Sequence, residues 1–170
     1  MTQYLRTHTV VALICFEAQC KIRFHSVFSF FLKFIRFQFV QQTDSASFLA
    51  AIEPGYYYNN FTGVPTGAQP SLSYSSGGFS YTISTGPGAL SGLYNDTGLV
   101  STDNAQDVLY IEFTSGNVTA VGGNFWATDI SFFPIAATVA INLSDGTSVS
   151  FNSTSANDFR GFTSNVTITS

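Results

Sequence analysis

Ile135-Ala-Ala-Thr-Val-Ala-Ile-Asn-Leu143, followed at once by Ser144-Asp145-Gly146, is the stretch that decides the fold class. Ile135, Ala137, Val139, Ile141 and Leu143 occupy every second position, and a period of two lines them along one face of a strand. A helix would scatter the same residues around its axis. Asp-Gly tolerates the positive φ angles of a tight turn, so Val149 and Phe151 are expected to return antiparallel against this strand.

The same alternation recurs on both sides. Phe79, Tyr81 and Ile83 point one way while Ser80, Thr82 and Ser84 point the other, as a half-buried strand requires. In Asp107 to Phe113, Leu109, Ile111 and Phe113 face in and Glu112 faces out. Val118 to Asp129 is apolar on both faces, which predicts a central strand. With Phe159–Phe162 and Val166–Ile168, about nine short strands are expected. Gly63 to Gly78 and Gly86-Pro87-Gly88 read as loops. One short helix is expected from Thr43 or Asp44, whose side-chain oxygen can cap free N–H groups, through Ile52. Phe48, Leu49 and Ile52 would share its buried face, and Pro54-Gly55 ends it. The predicted fold is all-β: an antiparallel β-sandwich of jelly-roll type with one short N-terminal helix.

Charge divides the chain in two. Residues 1–40 hold five of the six Lys/Arg and one acid, whereas residues 41–170 hold nine Asp/Glu and only Arg160 as a cation. We therefore read 1–40 as a basic Phe-rich segment, a degenerate export signal or a mis-assigned start, and 41–170 as the β-sandwich domain. Thr9 to Phe16 is an apolar run that Glu17 closes early. From Ile22 to Val40, Lys33, Arg36 and His25 interrupt the aromatics, so no stable transmembrane span is expected; a membrane-surface helix is the alternative there. One cation in an acidic domain cannot neutralise a run of phosphates, which argues against nucleic acid as a partner.

Residues 41–170 contain no His, Cys or Lys, which removes the common triads and dyads. Cys15 and Cys20 both precede the domain and have no second pair to complete a zinc site. Glu53, Glu112, Asp129 and Asp158 are the acids available to a carboxylate-dependent glycoside hydrolase, an unfavoured reading, since their local patterns are those of turns and outward strand positions. No catalytic residue is assigned. Neutral ligand contacts are more plentiful. Tyr56-Tyr57-Tyr58 precedes Asn59-Asn60, and flat rings stack on sugar C–H faces while amides bond hydroxyls, so Tyr57, Asn59 and Asn60 are the candidate ligand-binding residues. Packing into the core is the competing role for these tyrosines, and for Trp126 beside Phe125. No cofactor is required; if calcium binds, the hard oxygens of Asp103, Asn104 and Asp107 in one polar loop are its candidate ligands, with Asn95 and Asp96 in another loop. Six Asn-x-Ser/Thr sequons, at Asn60, Asn95, Asn117, Asn142, Asn152 and Asn165, are what a Ser/Thr/Asn-rich strand protein makes by chance.

Several short runs carry a resemblance. Thr43-Asp44-Ser-Ala-Ser-Phe-Leu-Ala-Ala-Ile52, Pro54-Gly55-Tyr56-Tyr57, Gly78-Phe79-Ser80-Tyr81, Val121-Gly122-Gly123-Asn124-Phe125, Leu143-Ser144-Asp145-Gly146-Thr147 and Phe159-Arg160-Gly161-Phe162-Thr163-Ser164 together resemble the exported bacterial proteins of the PEP-CTERM sorting group. The resemblance spans residues 41–170. It implies a β-sandwich carried across the inner membrane and held at the cell surface or released into an exopolysaccharide matrix, without general enzymatic activity. The group's Val-Pro-Glu-Pro motif, apolar tail and basic end do not occur before Ser170, as a truncated chain would show. The expected function is a non-catalytic, extracellular or cell-surface module, with carbohydrate binding by loop Tyr, Asn and Asp as the alternative and extracellular polysaccharide as the expected partner.

Overall fold

A computed structural model describes residues 8–11, 14–17, 39–96 and 98–170. The elements begin with β1 (His8–Val11), β2 (Ile14–Glu17), β3 (Phe39–Gln42), α1 (Ser45–Ala51), β4 (Tyr57–Asn59) and β5 (Gly67–Gln69). There follow β6 (Ser71–Ser76), β7 (Phe79–Thr85), β8 (Leu93–Asp96), β9 (Leu99–Thr102) and β10 (Leu109–Phe113). The last are β11 (Ala120–Thr128), β12 (Pro134–Ile135), β13 (Ala137–Asn142), β14 (Ser148–Ser153) and β15 (Phe159–Ser164). The chain is thus an all-β, sandwich-like assembly of antiparallel sheets with one short helix.

β11 is the centre, as its two apolar faces require. Along one edge it pairs with β15, from Ala120↔Thr163 to Asn124↔Phe159, and with β12; along the other it pairs with β1 and β2. Val121 and Phe125 of β11 and Phe162 of β15 face one side, where Tyr81, Ile83, Phe113 and Val139 complete the main core. That opposing layer consists of the sheet β6-β7-β10 and the separate hairpin β13-β14. On the other side of β11, Ala120, Phe159 and Phe48 form a small second core under α1. Gly122 and Gly161 face each other there across β11 and β15. A Cβ on Gly122 would lie 2.9 Å from the Phe159 ring, and one on Gly161 would strike the Phe48 ring, so the two glycines open the space in which the helix docks.

The helix starts where the sequence indicates: Asp44 is extended and its carboxylate accepts from the Ser47 N–H at 2.8 Å. Phe48 is buried and Ile52 packs beside it, but Leu49 is exposed. A helix of seven residues resting on one sheet buries only the narrow stripe over its contact, and Leu49 falls 100° away from Phe48.

Four other expectations need correction. Gly63 to Gly78 contains β5 and β6; Leu72 and Tyr74 of β6 pack on the main core while Ser71, Ser73 and Ser75 face outward. Short polar residues hid the alternation. Asn95 and Asp96 lie in β8 instead of a loop, with Asn95 fully buried, so its sequon is inaccessible to a glycosyl carrier. Ile135 to Leu143 is two strands: Ile135 pairs with Ala127 of β11, while Ala137 to Asn142 pair with β14. Val166–Ile168 is no strand, although Ile168 is buried and donates its N–H to Val118 O at 2.8 Å.

The hairpin at Asp145-Gly146 forms by a variant of the expected turn. Gly146 N donates to Leu143 O and Leu143 N to Thr147 O, both at 2.9 Å, so the loop is Ser144-Asp145-Gly146 and only Gly146 (φ 89°) takes the left-handed conformation. Asp145 instead accepts from Thr147 N at 2.8 Å.

Residues 1–7, 12, 13 and 18–38, which include Cys20 and nearly all of the stretch read as a membrane-surface helix, lie outside the described residues. β3 spans the boundary placed between residues 40 and 41, pairing with β15. Among the described residues no helix is long and apolar enough to cross a membrane.

Candidate functional site

A concavity opens where the two pieces of the opposing layer fail to meet. β10 pairs with β7 and β13 with β14, and among the described residues no strand joins β10 to β13. The cleft between them has a volume of about 270 Å³. Leu109 and Ile111 form one wall, Ala140 and Ile141 the other, and Val121, Phe125 and Phe162 the floor. The gap explains a burial difference: Phe113 and Val139 are buried, but Leu109, Ile111 and Ile141, on equally inward faces, are only partly buried. Apolar side chains that remain wet along a cleft are unspent driving force for binding.

The tyrosine run has a different role from the cleft. Tyr57 points inward, its ring 6.0 Å from that of Tyr81, which stacks in turn on Tyr74 at 5.0 Å. Asn59 donates to the Tyr81 hydroxyl at 2.8 Å and accepts from Phe61 N at 2.9 Å, so both ends of its amide serve the fold. Those bonds hold Phe61, buried and at φ 57°, in a conformation that few residues other than glycine adopt. Burial, aided by Tyr57, pushes the Tyr74 phenol up to about 12, and burial raises Tyr81 further. These phenols stay neutral across the physiological range. Asn60 is exposed, its Oδ1 accepting from Thr62 N and Oγ1. Tyr57, Asn59 and Asn60 are adjacent, but the rings turned to solvent are Tyr56 and Tyr58, 41% and 51% exposed. Trp126 is buried in the sheet.

The polar loop before β10 is tied by its own carboxylate. Asp107 Oδ1 accepts from Leu90 N at 2.7 Å, and Oδ2 accepts from Ser91 N at 2.8 Å and Ser91 Oγ at 3.1 Å. The Leu90 bond, with those from Ser91, holds this carboxyl below its ordinary value. Asn104 Oδ1 accepts from Gln106 N at 2.9 Å, and Asp103 is exposed. No cluster of three or more His, Cys, Asp or Glu suited to a metal occurs among the described residues. Other acids share this architectural role. Asp129 Oδ1 accepts from Ser131 N and Phe133 N, and Asp158 Oδ2 from Thr154 N, Ser155 N and Ser153 Oγ.

The cleft residues carry no motif; their only signal was membership of inward strand faces, which does not distinguish a wall from a core. Comparisons with protein families, with curated proteins and with solved structures found no match to this chain.

Proposed function

We propose that this chain is a non-catalytic binding or structural module, exported to the cell surface or extracellular matrix, with the β10–β13 cleft as its binding face. The observation that carries the reading is the cleft itself: a concavity of aliphatic and aromatic side chains, with Asn142, Ser170 and Tyr110 as its polar fringe. Such a site offers contact area and hydrogen bonds. Among the described residues that line it there is no side-chain carboxylate, imidazole, thiol or amine through which a proton or acyl group would pass. Export and surface display follow from the PEP-CTERM resemblance and from a domain with one cation among neutral polar residues.

The test is binding without turnover. An environment-sensitive apolar dye should bind one saturable site, and Ile141→Trp, which fills the cleft, should abolish its signal. Hydrolysis of a glycoside that disappears on replacing one carboxylate would overturn the reading.

Extracellular polysaccharide as ligand is the second reading, favoured by the outward rings of Tyr56 and Tyr58 next to Asn60. Calorimetry against soluble polysaccharides, with and without calcium, should then show heat that Tyr58→Ala removes. Affinity at so uncharged a surface should be modest and weakly dependent on salt.

A further inference from the structure

We propose that the cleft between β10 and β13 seats one more β-strand, an extended peptide segment that enters beside Ser170 and runs antiparallel to both edges. This rests on the reading of the cleft as a binding face and names the class of its ligand. The argument begins with backbone parity. Val108 O accepts from Gly86 N and Thr114 N donates to Ser80 O, so the even-numbered residues of β10 bond to β7. In an antiparallel ladder the alternate residues turn their N–H and C=O the other way. Leu109 and Ile111 therefore aim theirs into the cleft. On β13 the bond from Leu143 N to Thr147 O assigns the odd-numbered residues to β14, which leaves the backbone groups of Ala140 and Asn142 aimed at the cleft from the opposite wall. Among the described residues, two unpaired edges thus face one gap, and its floor is apolar.

The end of the chain shows what fits there. After Ile168 N bonds Val118 O, Thr169 O accepts from Phe113 N and Ser170 O accepts from Ser144 N, each at 2.9 Å. Successive carbonyls thus bond to the β10 side and then the β13 side, while Thr169 N donates to Ser144 Oγ at 2.9 Å, so this end of the chain bridges the two walls without being a regular strand. Phe113 ends β10 and Ser144 lies just beyond β13, so both strands reach the same end of the cleft, and Ser170 stands at its mouth. Leu109, Ile111, Ala140 and Asn142 continue both walls inward from this first rung. A segment of about five residues matches the length of β10. Its alternate side chains would cover Val121, Phe125 and Phe162, so the partner is an uncharged segment of alternating apolar and polar residues, bound by strand addition.

The experiment uses the full chain and two labelled hexapeptide amides, Thr-Val-Thr-Val-Thr-Val and Val-Thr-Val-Thr-Val-Thr, which present both registers, followed by fluorescence anisotropy. Saturable binding of one is expected, together with loss of binding when alternate peptide nitrogens are methylated. Ala140→Pro removes an N–H aimed at the cleft and no bond to β14; it should weaken binding about tenfold, whereas Ala140→Val should not. If Ala140→Pro fails to fold, the methylated peptides decide alone. Absence of peptide binding, or equal binding of methylated and unmethylated peptides, overturns the proposal. If the apolar dye still occupies the cleft in that case, the binding reading survives while strand addition fails. A dimer that Ala140→Pro dissolves, with neither peptide bound, assigns the cleft to a second copy instead.

Discussion

At the scale of single residues, stability is concentrated in places where polarity alone suggested ligand contact. Asn59 is the clearest. Replacing it with Ala removes the donor to Tyr81 and the acceptor for Phe61 N, and should cost about 1–3 kcal/mol in thermal or denaturant unfolding. A loss of polysaccharide affinity with unchanged stability would return Asn59 to a binding role. Gly161→Ala should cost about 1–3 kcal/mol by overpacking, because its new methyl group meets the Phe48 ring with the sheet behind it. Asp158 sets a pH dependence. The bond from Thr154 N, with those from Ser155 and Ser153 and the charge of Arg160, lowers its carboxyl below the ordinary Asp value of 3.8. Its folded value lies below its unfolded one, so its stabilisation is complete above the unfolded value and is lost as pH falls through the folded one. Melting temperature should fall as pH drops below the ordinary Asp value, and Asp158→Asn should flatten part of that fall. An unchanged acid limb in the variant would show that Asp158 contributes nothing to it.

Elements divide according to what covers them. Val139 and Thr138 are neighbours on β13, one buried and one exposed. Val139→Ala should cost about 1.5–3 kcal/mol and Thr138→Ala much less, measured by chemical denaturation. Equal costs would refute the register with β14. Ile141 lies on the same inward face but borders the cleft, so Ile141→Ala should fall toward the low end of the usual range of about 2–5 kcal/mol. The break at Ala136 follows from pairing: Ile135 bonds with β11 in one sheet and Ala137 with β14 in the other. An unbroken alternation cannot reveal such a change of partner, since side-chain period is the same in both sheets.

For the molecule as a whole, the question is how far the amino-terminal segment belongs to the fold. The charge and periodicity of residues 1–36 differ from the rest, which by itself would make them dispensable for folding. β1 and β2 nevertheless lie along one edge of β11, with His8↔Thr128 to Val11↔Phe125 and Cys15↔Gly122 to Glu17↔Ala120 in register, and β1 also reaches β9 at Val100. A chain starting near Phe37 keeps β15 against β11, both opposing pieces and α1. It should melt cooperatively at a lower temperature than the full chain, and should self-associate through the bared edge of β11. Calorimetry with size-exclusion chromatography checks both. Loss of the transition would make the segment part of the folding unit, and an unchanged melting temperature would show that β1 and β2 add nothing.

What the amino-acid sequence determined by itself was local: strand faces, the Asp44 cap, the turn at Asp145-Gly146 and the central place of β11. Each follows from side-chain period or backbone preference within a few residues, and such preferences act before any distant contact forms. The same reasoning failed at Ser71–Ser76, where serine and tyrosine disguised a strand, and at Leu49, where only the width of the helix–sheet contact decides burial. The cleft was illegible for a further reason. Leu109, Ile111 and Ile141 have the alternation of core residues, and whether such a residue meets another side chain or an open gap depends on which strands pair. That pairing is set by contacts between segments far apart in the chain, so only the tertiary structure could show that β10 and β13 end beside each other with their edges unjoined.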